Sequence, residues 1–562
     1  MLSTDKEHIA FLTQYLKEHS INQVVISPGS RNAPIVTAFC AHPGIETFTI
    51  HDERAAAFTA LGMAEASGKP VVLTCTSGSA LLNYSPAIVE AYYRQIPLLI
   101  LSADRPAHLI DQGDGQTIRQ NGVFNNFILF QTSLPEEQDE QLLDKTESVL
   151  KKALRFLMVE PKGPVHINVP LSEPLYGRDA LPQMEIECHN FHPEDDNLNF
   201  SEILDDWNSA KKKMIIVGQS EHNPALLEEL RRIGEQADTA VLVENTSNLN
   251  HFPKFVHCID RTLAAITDDE QEAFFPDLLI SIGGGIVSKR IKAFLRKAKV
   301  EKIFRLGHYT ISENTFLGNP RHLKLNPIRF LSQLNASNLL AESNFGSLWK
   351  QKDFLAENEH ERFIASAPYS DLVVFKTILD SIPDGAHIHM GNSSVVRYCQ
   401  LSNPIPTMKY YGNRGVSGID GSASTAAGHA MVKPNDLHVM ISGDTSFFYD
   451  SNAFWNEYLK DNLRVIVINN GGGGIFQIID GPKSSEFSEQ FFAPFEANIA
   501  GIANAYNCDY NSVSSLEELI NAFEPFFTID DTKRPKILEV KTNEVENGEI
   551  LMRYFNHIKS AF

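Results

Sequence analysis

A chain of 562 residues, 43% hydrophobic and 21% charged, can bury several cores and divides by length into about three to four domains. Its formal net charge of −21 argues against coating a polyanion, because phosphate binding needs clustered Lys and Arg; no nucleic-acid partner is expected, and any cationic pocket must be local. Apolar runs such as the one from Ile96 to Leu101 fall far short of the about 20 residues that span a bilayer, so no membrane partner is expected either.

The segment Met1 to His8 has no basic stretch followed by an apolar one, so a signal peptide is not expected. The six cysteines, Cys40, Cys75, Cys188, Cys258, Cys399 and Cys508, show no paired metal spacing, and a chain this long needs no disulfide framework. They are read as buried thiols in a reducing compartment, with a cytoplasmic location as the default.

Short β-rich runs alternate with longer helical patterns throughout, the sign of repeated βαβ units. The expected fold is α/β: three Rossmann-like domains with parallel sheets flanked by helices, over residues 1–185, 186–355 and 356–562. In the first, strands are predicted at Val24–Ile26, Val71–Thr74, Leu98–Leu101 and Val165–Val169, and the polar stretch His192–Asn197 reads as a linker. The second offers Met214–Val217, Ala240–Val243 and Leu278–Ile282, the last running into Gly283-Gly284-Gly285. That turn lacks full dinucleotide-binding spacing and is read as structural. The charged stretch Glu357–Arg362 reads as the next boundary or, more plainly, as a solvated helix face. In the third, strands are predicted at Ala386–Met390, Val439–Ile441, Val465–Ile468 and Ile537–Val540.

Two of these apolar runs end in oxygen ligands, one in Gly443-Asp444 and the other in Asn469-Asn470 followed by four glycines. Buried parallel strands that finish this way put both ligands at the carboxyl edge of one sheet, where α/β folds bind ligands. Magnesium takes few protein oxygens and completes its shell with water and phosphates, so Asp444 and Asn470 suggest a metal-bound polyphosphate. As a plain alternative, a loop Asp and an Asn-Gly turn merely connect elements.

The spacing resembles the GDG…NN signature of thiamine-diphosphate enzymes, with Thr445 in place of the second glycine. The resemblance implies that Asp444, the Asn470 side chain and the Gly472 carbonyl hold magnesium, or manganese, against the cofactor diphosphate. Glu53, ahead of an alanine-rich helix, matches the family's early glutamate. Its implied task is catalytic: a buried carboxylate at N1′ of the aminopyrimidine favours the tautomer whose 4′-nitrogen takes the C2 proton. Without the resemblance, Glu53 is a first-turn helix acid.

Ser27-Pro28-Gly29-Ser30-Arg31, Thr76 to Ala80, Ser102 to Pro106 and Asn413-Arg414-Gly415-Val416-Ser417-Gly418-Ile419-Asp420-Gly421 narrow the likeness. Together they resemble the MenD family, the 2-succinyl-5-enolpyruvyl-6-hydroxy-3-cyclohexene-1-carboxylate synthases of bacterial menaquinone biosynthesis. This implies decarboxylation of 2-oxoglutarate and 1,4-addition of the succinyl carbanion equivalent to isochorismate. Both substrates are dicarboxylates, and Arg pairs with carboxylates bidentately. By matching motifs, Arg31, Arg105, Gln116, Lys289 and Arg290 face isochorismate, while Ser393, Arg397 and Arg414 hold the succinyl carboxylate; the motifs alone leave this division open. Ile419 matches the residue that props the bent cofactor, and Ile475 and Phe476 would cover the reactive centre. The small residues from Gly421 to Gly428 are assigned to packing. The family also implies a homo-oligomer, at least a dimer, with the active site at the interface.

Two other readings fit parts of the pattern. Another thiamine-diphosphate-dependent 2-oxo acid decarboxylase or acetolactate-type synthase would share the metal motif and Glu53 but need fewer arginines. A non-catalytic nucleotide-binding protein would have no use for Glu53.

Overall fold

The computed structural model describes residues 2–136, 140–180, 185–191, 200–249, 252–336, 343–474, 485–496, 498–529 and 533–562. Three sheets carry the chain. The first runs, in spatial order, Glu46–Thr49, Gln23–Ile26, Val71–Cys75, Leu98–Asp104, Val165–Pro170, Phe130–Ser133, and is parallel throughout. The second runs Thr239–Val243, Lys213–Val217, Leu278–Ile282, Lys302–Leu306, Arg321–Leu323, again parallel. The third runs Lys409–Tyr411, His387–Met390, His438–Gly443, Leu463–Asn469, Lys536–Lys541, Asp509–Val513. A small antiparallel ribbon pairs Leu2–Thr4 with Arg178–Ala180.

Central strands such as Val71–Cys75 and Leu278–Ile282 are buried at every position, because helices cover both faces of a parallel sheet. Each fully buried Val, Leu or Ile there is worth about 1.5–3 kcal/mol. All eleven predicted strands are present, with ends differing by up to three residues. The stretch 357–362 lies inside the helix Phe345–Ile364, so it is a helix face, and the expected boundary at 355/356 falls within that same helix. The linker read at 192–197 lies outside the described residues.

By contacts, the chain forms two compact units: residues 1–194, 415–435 and 449–463 in one, and 195–414, 436–448 and 464–562 in the other. In the first, the helix Glu53–Ser67 starts where the Asp52 side chain accepts the Ala55 N–H and stops at Gly68, whose φ of 67° turns the chain away. Residues 55–64 are all buried, and the helix packs on Ser422–Val432. A Cβ on Gly62 would lie 2.1 Å from the Thr425 carbonyl oxygen, and one on Gly428 equally close to that of Thr59. The small residues from Gly421 to Gly428 are therefore packing residues, as expected.

One expectation fails. Cys40 and Cys188 are exposed and Cys508 is partly so, leaving only Cys75, Cys258 and Cys399 buried; all six are free thiols. Cys40 falls in the last turn of the helix Ala33–Ala41, whose buried face is carried by Ile35, Ala38 and Phe39.

Candidate functional site

In the second unit, the strands His438–Gly443 and Leu463–Asn469 are neighbours, and Asp444 opens the short helix that follows the first of them. Asp444 is 1% exposed. One carboxylate oxygen accepts N–H bonds from Gly471 at 2.8 Å and Gly472 at 3.1 Å; the other accepts the amide and the hydroxyl of Thr445. Thr445 thus reinforces the turn that glycine occupies in the signature. Burial pushes the Asp444 carboxyl up and these donors pull it back toward the charged form. Gly471 and Gly472 sit at φ 86° and 151°, and a Cβ on Gly472 would lie 2.9 Å from the Phe492 ring.

Asn470 is oriented by an acid that no motif announces. Its amide nitrogen donates to Asp371 at 3.2 Å, which leaves Oδ1 as the atom able to meet a cation. Asp371 also accepts the Thr542 hydroxyl at 2.6 Å, and burial raises its carboxyl to about 6. Among the described residues no Lys or Arg pairs with Asp444, so its buried charge is available to a metal. Carboxylate, amide and backbone oxygens are the donor set of a hard divalent ion, and the side-chain-free backbone at 471–472 leaves room for a diphosphate.

The same unit holds the second group of cations. Ser393, at φ 72°, precedes the helix Ser394–Cys399, which carries Arg397. Arg414 donates to the Asn392 side chain at 2.5 Å. Lys289 and Arg290 open the helix Lys289–Ala298, capped by Ser288. Both carboxylate oxygens of the buried Glu244 accept the amides of Val287 and Ser288, each at 2.7 Å. Glu244, Asp260, Ser288, Arg397 and Gln400 line one small cavity. Burial lifts Glu244 to about 7, against the pull of the Val287 and Ser288 amides and, less strongly, of Arg414, and raises Asp260 against the pull of Ser288, Arg290 and Arg397. Arg397 thus lines a cavity with two buried acids, and the charges of Arg290 and Arg414 act on them. Arg290 also stacks on Phe555, 3.9 Å from the ring centroid. The three-glycine turn is structural as expected, with the Gly283 amide donating to the Tyr309 hydroxyl and the Gly284 amide to the Gln219 carbonyl.

In the first unit, Arg105 donates to the Ser77 hydroxyl at 2.6 Å and to the Gln116 carbonyl at 2.7 Å, so Arg105 and Gln116 meet beyond the strand ends. Arg31 donates to the Leu171 carbonyl and pairs with Glu173, both at 3.1 Å. Glu53 is half-buried in the single chain, at the first turn of its helix; its one described side-chain hydrogen bond comes from Asn83 at 3.5 Å. Ile419 is half-buried in the loop before Ser422–Val432. That helix is capped by Asp450, which accepts the amide and hydroxyl of Ser424, each at 2.7 Å, and is raised to about 7 by burial. Ile475 and Phe476 lie outside the described residues.

Sequence reasoning passed over Asp371, Glu244 and Glu90, the last of which accepts the amides of Gly415 and Val416. Only Glu244 carries a local signal: an acid ending an apolar run, with Ser247 three residues on closing a reciprocal cap.

Comparison with known proteins agrees with this geometry. A family profile described as "Thiamine pyrophosphate enzyme, N-terminal TPP binding domain" matches residues 9–123, and its C-terminal counterpart matches 389–540. The chain is 43% identical to the 2-succinyl-5-enolpyruvyl-6-hydroxy-3-cyclohexene-1-carboxylate synthase of Christiangramia forsetii, with 96% of each chain covered. It is 39% identical to the protein of that name from Flavobacterium johnsoniae, with 96% of each covered, and 37% identical to that from Porphyromonas gingivalis, covering 99% of this chain and 98% of the relative. The chain belongs to the 2-succinyl-5-enolpyruvyl-6-hydroxy-3-cyclohexene-1-carboxylate synthase family and is a thiamine-diphosphate enzyme.

Proposed function

We propose that this chain decarboxylates 2-oxoglutarate and adds the resulting four-carbon unit 1,4 to isochorismate, the step of menaquinone biosynthesis for which its relatives are named. The observation that carries the reading is the Asp444 cradle, a buried carboxylate fixed by Gly471 and Gly472 beside an Asn470 oriented by Asp371. When bound, thiamine diphosphate supplies the electron sink for the carbanion left by loss of CO2. Asp444, Asn470 Oδ1 and the Gly472 carbonyl would hold the divalent cation, magnesium or manganese, that offsets the charge of the cofactor's diphosphate. Glu53 holds and returns a proton at N1′ of the pyrimidine. Arg31, Arg105, Gln116, Lys289 and Arg290 orient isochorismate, and Ser393, Arg397 and Arg414 hold the distal carboxylate of 2-oxoglutarate. Ile419 props the cofactor, and Ile475 and Phe476 keep water from the reacting atoms.

The domain division 1–185, 186–355 and 356–562 is supported by each range containing one whole parallel sheet. A cytoplasmic location is supported by six free thiols; among the described residues no helix is long and apolar enough to cross a membrane. The working form is a homo-oligomer, at least a dimer, with the active site at the interface. Its support is the apolar surface of the Glu53 unit: Leu82, next to Asn83, is 43% exposed, and Tyr449 and Trp455, which stack with Arg54 and His51, are 52% and 48% exposed. Such a patch marks an interaction surface.

The test is CO2 release from 2-oxoglutarate by purified protein loaded with thiamine diphosphate and magnesium, with and without isochorismate. Product containing both carbon skeletons is expected. Turnover to succinic semialdehyde with isochorismate left unconsumed would point to a simple decarboxylase.

A further inference from the structure

The loop from Gly415 to Gly421 is held at its start by a carboxylate far away in sequence. Glu90, on the helix Ser85–Arg94, accepts the Gly415 amide at 2.8 Å on one oxygen and the Val416 amide at 2.7 Å on the other. Its side chain is 1% exposed. Behind it runs a buried chain of charge: Arg94 pairs with Glu65 and lies 3.8 Å from Glu90, and Glu65 meets His429 at 3.0 Å. Although burial raises the Glu65 carboxyl, Arg94 and His429 hold it down to about 2.

Apolar packing cannot do this work. Val416 is 47% exposed and Ser417, at φ 63°, is exposed as well. Gly415 lies so close to the helix that a Cβ would come within 2.8 Å of the Glu90 carbonyl oxygen. Hydrogen bonds to a buried carboxylate are among the strong ones, and removing the acceptor strands both amides. The residues on either side of the clamp, Arg414 before it and Ile419 three positions after Val416, are those assigned above to the substrate carboxylate and the cofactor.

We propose that Glu90 is a positioning residue for the reaction, its carboxylate fixing the backbone of Gly415 and Val416 so that Arg414 and Ile419 are presented in register. The consequence for substrate rests on the function proposed above; the clamp does not. Glu90→Gln keeps length and shape but can accept only one of the two amides, and Glu90→Ala accepts neither. Both are compared with the wild type as holoenzyme, by amide hydrogen exchange of the segment 412–421 and by steady-state kinetics with 2-oxoglutarate varied.

Exchange of this segment should quicken by about 10-fold in Glu90→Gln and further in Glu90→Ala, the size expected for one lost bond of this kind. KM for 2-oxoglutarate should rise by about 10-fold in Glu90→Gln, with kcat changed less. Glu65→Gln, which damages the same buried chain without touching the loop, should lower the melting temperature while leaving exchange at 412–421 near the wild-type rate. Wild-type exchange in folded Glu90→Gln would overturn the proposal, as would equal acceleration in Glu65→Gln. If the wild type releases no CO2 from 2-oxoglutarate, the functional reading fails, while the exchange measurements still decide whether Glu90 holds the loop.

Discussion

Asp444 and Glu53 are both helix-opening acids, yet the two compact units treat them in opposite ways. Asp444 is buried and accepts from three backbone amides and a hydroxyl. Glu53 is half-buried, and among the described residues its side chain takes one long hydrogen bond, from Asn83. The difference fits the roles proposed for the two groups. A metal ligand must stay ionised and still, and N–H donors favour the charged form while fixing the oxygens. An acid that gives and takes a proton needs lone pairs that are not already committed.

That contrast is broken most directly at the metal. Asp444→Ala should keep its fold and bind thiamine diphosphate with magnesium roughly 100-fold more weakly or worse, since even groups that only support a ligand cost 10–100-fold in metal affinity. Titration calorimetry checks this, and affinity near the wild type would remove Asp444 from the metal site. Glu53→Gln should do the reverse: cofactor affinity stays within a few-fold while turnover falls by roughly 100- to 10,000-fold, the range for a lost general acid–base group. C2 proton exchange followed by NMR should slow in step. Mixing the two inactive variants sharpens the comparison further, because a site shared between chains should regain activity in hybrid dimers that neither parent shows.

One arginine from each unit tests the proposed division of the substrates. Arg105→Ala, in the first unit, should spare CO2 release and weaken isochorismate capture, and Arg414→Ala should impair use of 2-oxoglutarate. Each should lose about 2–5 kcal/mol in kcat/KM for one substrate. Single-turnover measurement of both half-reactions tests the division, and equal damage to both in both variants would reject it.

The smallest effect concerns pH. Asp450 is raised to about 7 in the fold, against about 3.9 in an unfolded chain, so the folded form holds an extra proton across that window. Its contribution to stability is fully present below about pH 4 and is lost as pH rises toward 7, by up to about 1.4 kcal/mol per pH unit. Asp450→Asn, which can still pair with Ser424, should therefore gain on the wild type as pH rises from 5 to 7, in melting temperatures measured across that range.

The central strands were legible because strands buried on both faces read as unbroken apolar runs. Most of those missed lie at sheet edges, where Asp509–Val513 and Phe130–Ser133 have one neighbour and a more polar sequence. Lys302–Leu306 is interior and was missed because Lys302 and Arg305 interrupt its run. Asp444 and Asn470 were visible for a related reason, each standing at the end of an apolar run. Glu90, Glu244 and Asp371 were not. Their partners are chiefly backbone amides and polar side chains distant in the chain, 325 residues away for Glu90 and Gly415, and neither spacing nor periodicity records such a pairing.

The close packing of Glu53–Ser67 on Ser422–Val432 has a consequence for how this enzyme can drift. Where Gly62 meets the Thr425 carbonyl and Gly428 that of Thr59, main chain touches main chain, so the spacing between the two helices is set by atoms that every residue type shares. Glu53 opens one helix, and the loop bearing Ile419 leads into the other. Side chains elsewhere on these helices can change over generations without moving the acid relative to that loop, provided the two glycines are kept. Selection on catalysis would then be felt at Gly62 and Gly428, which are buried and carry no reactive group, as sharply as at residues that do.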